Sequence, residues 1–185
     1  MTAIMNRAIF LDRDGTLNSD SRDYIKKLSE FRMFSFTPQA LKILQKLGFK
    51  LILITNQSAI ARGLSTQDEV EKIHEFLKKE LSKSGVILDG IYVCPHHPDD
   101  NCLCRKPKTG NIFKAVNDFK IDTSKSYFIG DSKKDIETGA QAGCKTVLVQ
   151  TGLDKKEETM NWRIAPDYIV ENLLYAAKLI EGVES

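Results

Sequence analysis

Ala8-Ile9-Phe10-Leu11-Asp12-Arg13-Asp14-Gly15-Thr16-Leu17 is the stretch on which the fold of this chain turns. Four apolar residues end in two carboxylates spaced i, i+2, and the chain then turns on a glycine. The apolar run predicts a buried strand, and the carboxyl end of such a strand is where open α/β sheets bind ligands. Two acids held this close, with a hydroxyl behind them, suit a nucleophile, a general acid and a cation in one pocket. That equipment points to phosphoryl transfer.

Outward from this stretch, apolar runs at 50–54, 90–93, 126–129, 146–149 and 168–170 predict further strands, several of them continuous Val/Ile/Leu/Phe segments as parallel strands require. Helical patterns lie between them. Thr37-Pro38 reads as a helix start, with Leu41, Leu44 and Leu47 on one face. Thr66 and Glu69 match a capping box ahead of Val70, Ile73, Leu77 and Leu81. Thr109 opens a helix carrying Ile112, Phe113 and Val116, and Asp131 or Ser132 opens another. Strands alternating with helices predict an α/β, doubly wound, mainly parallel sheet of Rossmann type, with residues 1–185 as one domain. No large insertion follows Asp14 or separates Thr55 from Arg105, so no cap domain is expected.

The composition is that of a globular protein, with 42% hydrophobic and 28% charged residues. A net charge of +2 argues against a nucleic-acid partner. No apolar stretch approaches the roughly 20 residues that cross a bilayer, and the first seven residues lack a secretory pattern, so a cytoplasmic protein without membrane contact is expected.

Three later strand ends carry chemistry. Thr55-Asn56-Gln57-Ser58 offers hydroxyl and amide groups, and Thr55 is suited to donate to a phosphoryl oxygen. Arg105 and Lys106 follow the segment 94–104, where a compact ammonium offsets anionic charge and a guanidinium grips phosphate. Asp131, after the strand at 126–129, is placed to hold a divalent cation, and Asp135 to support it or to orient the lysine. Within Cys94-Pro95-His96-His97-Pro98-Asp99-Asp100-Asn101-Cys102-Leu103-Cys104, three thiols and an imidazole form a closed zinc set. Cys94, His96, Cys102 and Cys104 are the expected ligands, with His97 as the alternative to His96. Such a loop fixes Arg105 and Lys106 directly after its last ligand. Cys144 reads as a packing residue, His74 as a solvated helix residue, Trp162 as cover for the sheet edge or packing on the last helix, and Lys155-Lys156-Glu157-Glu158 as soluble surface.

The order acid pair, threonine, lysine, final acid resembles the haloacid dehalogenase-like phosphatases over nearly the whole chain. The resemblance implies that Asp12 attacks phosphorus to form an aspartyl-phosphate, and that Asp14 protonates the leaving oxygen and then activates water. It implies that Thr55 and Lys106 stabilise the transferring group. Mg²⁺ would lie between the Asp12 side chain, the Asp14 backbone carbonyl and Asp131. A carboxylate about 4 Å from a phosphate dianion is repelled by roughly 8 kcal/mol at an effective dielectric near 20, which makes the cation necessary.

The zinc loop narrows the resemblance to a branch acting on D-glycero-D-manno-heptose 1,7-bisphosphate or on histidinol phosphate. The segment Thr55-Asn56-Gln57-Ser58-Ala59-Ile60-Ala61-Arg62-Gly63 is similar to the heptose side, which implies removal of the 7-phosphate of a small phosphorylated sugar. A monomer is expected, because no exposed apolar periodicity demands a partner. The short spacing from His96 to Cys102 is similar to the histidinol side. On this resemblance Asn56, Gln57, Ser58, Arg105, Asp20 and Asp23 meet the substrate, and Ser132 stands where a substrate-contacting lysine is frequent. Two other classes stay in view. A polynucleotide 3′-phosphatase shares the acid pair but needs a basic groove, and a non-catalytic zinc module has no use for the acids, Thr55 and Lys106 together.

Overall fold

The computed structural model describes residues 5–153 and 162–184. Six strands, β1 (Ala8–Leu11), β2 (Lys50–Asn56), β3 (Gly90–Cys94), β4 (Tyr127–Gly130), β5 (Lys145–Val149) and β6 (Tyr168–Val170), pair in parallel in the order β3-β2-β1-β4-β5-β6. Five α-helices are described: α1 (Thr37–Lys46), α2 (Gln67–Ser82), α3 (Gly110–Phe119), α4 (Lys133–Gln141) and α5 (Leu173–Glu184). The expected doubly wound sheet is therefore present. No described helix is long and apolar enough to cross a membrane.

β1 is buried at all four positions because helices cover both faces of the sheet. Ile9 and Leu11 pack with Leu41, Leu44, Ile73, Leu77 and Ile180 of α1, α2 and α5. Ala8 and Phe10 point the other way, onto Ile112 and Ala115 of α3 and onto Ala142 and Cys144 beyond α4. The two-residue alternation of a strand divides the chain's apolar residues between the two layers. Cys144 is a core residue, as expected.

Chain order runs outward from β1 through β2 to β3, then returns so that β4 lies on the other side of β1. At this reversal the loops leaving β1 and β4 diverge and open a crevice at the strand carboxyl ends. Asp12 and Asp131 sit at those two ends.

Several local details differ from the sequence reading. Thr37 is the first residue of α1 rather than its cap, and its buried hydroxyl donates to the Leu17 carbonyl at 2.8 Å. Thr66 caps α2 by accepting from the Glu69 amide at 3.2 Å, but Glu69 pairs with Lys72 at 2.6 Å. Thr109 makes no side-chain cap bond. His74 is only 4% exposed, so its reading as a solvated residue is corrected: α2 turns it inward beside Ile73 and Leu77. The run Lys155-Lys156-Glu157-Glu158 lies outside the described residues, and Trp162 is half-buried.

Candidate active site

Asp12 follows β1, and Gly15 turns the chain at φ +80°. A Cβ at Gly15 would meet Asp131 Oδ2 at 2.4 Å, so the turn needs glycine for both its conformation and its space. Carboxylate oxygens of Asp12, Asp131 and Asp135 all lie within 4.8 Å of one another. Lys106, nearly fully buried, reaches between them, with Nζ 2.7 Å from Asp12 Oδ1 and 2.7 Å from Asp135 Oδ1. The second Asp135 oxygen accepts from the Ser132 amide at 3.1 Å and the Ser132 hydroxyl at 2.7 Å. Asp135 thus orients the lysine, one of its two expected tasks.

Three carboxylates against one ammonium leave the group electrostatically short of positive charge. Burial pushes Asp12 up to about 7, with Asp135 adding to the rise and Lys106 opposing it. Burial, then Asp135 and Asp12, pushes Asp131 up to about 9. Buried Asp131 Oδ1 has no hydrogen-bond partner among the described residues. Once ionised, this carboxylate can only accept, and in such surroundings it fits a cation. Lys106 stays charged: burial opposes this, but Asp12 and Asp135 hold its pKa above the ordinary lysine value.

Asp14 is not part of this cluster. Its Oδ1 accepts from Arg13 Nε at 3.0 Å and Asn18 Nδ2 at 2.9 Å. Its Oδ2 accepts from Arg13 Nη2 at 2.9 Å and Gln57 Nε2 at 3.0 Å. Burial raises its pKa, but the guanidinium and these bonds outweigh it and hold Asp14 below the usual carboxylate range. Its side chain remains 21% exposed.

Of the other expected residues, Thr55 is buried at the end of β2, where its hydroxyl accepts from Gln57 Nε2 at 2.8 Å and keeps its own proton for donation. Asn56 spends both ends of its amide on the backbone of Lys106, accepting from N at 3.1 Å and donating to O at 3.3 Å. It braces the lysine loop, and Gln57 serves Asp14 and Thr55. Asn56, Gln57, Ser58, Arg105 and Asp20 all line a cavity of about 360 Å³ above the carboxylates. Asp23 is exposed and does not line it. Arg22, Tyr24, Arg62 and Lys134 line it as well. Arg62 lay in plain view within the Thr55–Gly63 segment, but nothing in one dimension shows that it lies 5.9 Å from the Tyr24 ring of the loop after β1.

In the loop after β3, Cys94 Sγ lies 3.6 Å from His96 Nδ1 and 3.6 Å from Cys102 Sγ. Cys104 Sγ lies 3.2 Å from His96 Nδ1 and 3.5 Å from Cys102 Sγ. A tetrahedral ion bound at about 2.0–2.3 Å imposes edges of roughly 3.3–3.8 Å, so this donor set suits zinc. His97 faces elsewhere, 3.2 Å from Asp99. Arg105 Nη1 reaches the His96 carbonyl at 3.4 Å and ties the loop to the cavity rim.

Comparison with known proteins agrees with this geometry. A HAD-hydrolase-like family model matches residues 103–176. A D-glycero-beta-D-manno-heptose-1,7-bisphosphate 7-phosphatase from Pasteurella multocida is 40% identical over 98% of this chain and 100% of its own length. The D-glycero-D-manno-heptose-1,7-bisphosphate 7-phosphatase of Chlorobaculum tepidum is 36% identical over 92% of each chain. A crystal structure of D,D-heptose 1,7-bisphosphate phosphatase from B. bronchiseptica, complexed with magnesium and phosphate, superposes with a TM-score of 0.88 at 34% identity, over 96% of this chain and 99% of that one.

Proposed function

The chain belongs to the haloacid dehalogenase-like hydrolases, and from that membership we propose that it removes the 7-phosphate of D-glycero-D-manno-heptose 1,7-bisphosphate. The observation that carries the substrate is the charge of the cavity rim. Beyond Lys106 at the floor, Arg22, Arg62, Arg105 and Lys134 line the same space, against Asp20 as the one acid there, among the described residues, besides Asp12, Asp14, Asp131 and Asp135. Four more cations suit a second phosphate on the substrate. They oppose histidinol phosphate, whose other end carries an ammonium group. The short His96–Cys102 spacing favours histidinol phosphate as the second reading.

In the reaction so read, an Asp12 oxygen attacks phosphorus in line with the bond to the sugar oxygen. That bond breaks as Asp14, ionised in the free protein, first takes up a proton from solvent and then delivers it to the leaving oxygen, giving the free hydroxyl and an aspartyl-phosphate. Water then attacks phosphorus while Asp14 takes its proton, which releases inorganic phosphate and restores the Asp12 carboxylate. Lys106 stays beside Asp12 throughout, and the Thr55 hydroxyl donates to a phosphoryl oxygen. Asn56 and Asp135 hold the lysine in place. Asp12, Asp131 and the Asp14 backbone carbonyl would hold Mg²⁺, which when bound neutralises charge between carboxylate and phosphate. Cys94, His96, Cys102 and Cys104 would hold Zn²⁺, which when bound closes their loop and adds folding free energy. We also read 1–185 as one phosphatase domain, supported by α5 packing back onto α1 over the same sheet face.

The test is Mg²⁺-dependent phosphate release from heptose 1,7-bisphosphate and from histidinol phosphate, with Asp12→Asn as control. At least a tenfold preference in kcat/KM for the bisphosphate is expected. A preference for histidinol phosphate would overturn the charge argument.

A further inference from the structure

We propose that Arg13 and His74 are positioning residues for Asp14, acting as a buried brace that sets the plane of its carboxylate. The inference rests on Asp14 being the proton-transferring acid of the reaction above. The Arg13 side chain is 0% exposed, and a guanidinium so placed needs a partner for each face of its fork. Two of its N–H groups grip Asp14 in the bidentate manner, at 3.0 and 2.9 Å. A third bond runs from Nη2 to Gln57 Oε1 at 3.1 Å, and on the far side Nη1 lies 3.3 Å from His74 Nε2.

A guanidinium only donates, so Nε2 of His74 must be the acceptor and the ring must be neutral. Its surroundings agree, since burial and then Arg13 push the imidazole down to about 3. α2 therefore inserts a rigid neutral acceptor behind the arginine. The phosphate cavity does not include His74, so its influence on chemistry passes through Arg13.

Four donated bonds fill the acceptor sites of Asp14: two from Arg13, one from Asn18 and one from Gln57. To exchange a proton with a sugar oxygen or water, Asp14 must release one of them. Gln57 is suited to let go, because its Nε2 also donates to Thr55 at 2.8 Å. Arg13, anchored behind by His74, remains as the pivot.

The experiment compares His74→Phe, His74→Gln and Asp14→Asn in single-turnover cleavage of two substrates. The alkoxide leaving group of heptose 1,7-bisphosphate needs a proton, whereas 2,4-dinitrophenyl phosphate expels its phenolate unaided. His74→Phe is expected to slow the sugar reaction about tenfold, short of the ~10²-fold cost of a full ångström of misplacement. KM should stay within about twofold, and the dinitrophenolate burst should be unchanged. The amide oxygen of His74→Gln accepts from Arg13 and should restore most of the rate. Equal slowing of both substrates, or a lower thermal midpoint with unaltered kinetics, would overturn the proposal. If Asp14→Asn fails to separate the two substrates, the assignment of Asp14 itself falls first. Should His74→Phe not fold, His74→Met removes the same acceptor with a flexible apolar side chain, and the same selective loss is expected of it.

Discussion

Adding Mg²⁺ to the metal-free protein at pH 7 should release between one and two protons. With Asp131 pushed up to about 9 by burial, Asp135 and Asp12, that carboxyl is largely protonated at neutral pH. Asp12, pushed up to about 7 chiefly by burial and by Asp135, is about half protonated. Asp135 and Asp14 contribute none: burial raises both, but Lys106 and Arg13 hold them below the ordinary carboxylate value. A divalent cation among these oxygens favours the ionised forms, so binding must displace the protons. Calorimetric titrations in buffers of different ionisation enthalpy count them directly. Asp131→Asn should lower the count by about one. Binding heats that do not depend on the buffer would refute the claim that three carboxylates exceed what Lys106 alone can neutralise. The same groups set a stability trend. The metal-free folded state keeps protons that an unfolded aspartate, with its ordinary value of 3.8, has lost. Its stability should therefore fall as pH climbs from about 4 towards about 9, and Mg²⁺ should flatten that fall.

Lys106→Met removes the ammonium that lies 2.7 Å from both Asp12 and Asp135. Leaving those buried carboxylates unpaired should cost about 3–5 kcal/mol in urea unfolding near neutral pH, less in acid where they protonate. Turnover should fall by about 10³ or more, and an unchanged kcat would remove Lys106 from the site. Cys102→Ser should lower zinc content below one equivalent by metal analysis and quicken proteolysis of the 94–104 loop. Zinc content and proteolysis rate that match the unmodified protein would exclude Cys102 as a ligand.

The strands and their ends were readable because a parallel sheet covered on both faces demands apolar runs, and these stop where the chain turns. Asp12, Lys106 and Asp131 announce themselves through residue type at such stops, and the zinc ligands through spacing within a single loop. Other features were hidden. His74 sits among charged neighbours in the sequence, and only the rotation of α2 against β1 and β2 turns it towards Arg13. Asn56 reads as a substrate residue and lines the cavity, but its second task was hidden. The approach of the lysine loop, 50 residues later in the chain, claims both ends of its amide.

The sequence by itself determined the α/β class, the strand ends that carry chemistry and the composition of the two candidate metal sites. All of these depend on local pattern: hydrophobic period, turn chemistry and ligands close together along the chain. Tertiary structure alone decided which side chains share a pocket. It brought Arg22, Arg62, Arg105 and Lys134 around one cavity, placed Asp23 outside it, and turned Asp14 into the grip of Arg13. These outcomes depend on how the loops after β1, β2, β3 and β4 converge at the reversal of strand order. That convergence arises from packing between segments distant in sequence, and no local pattern encodes it.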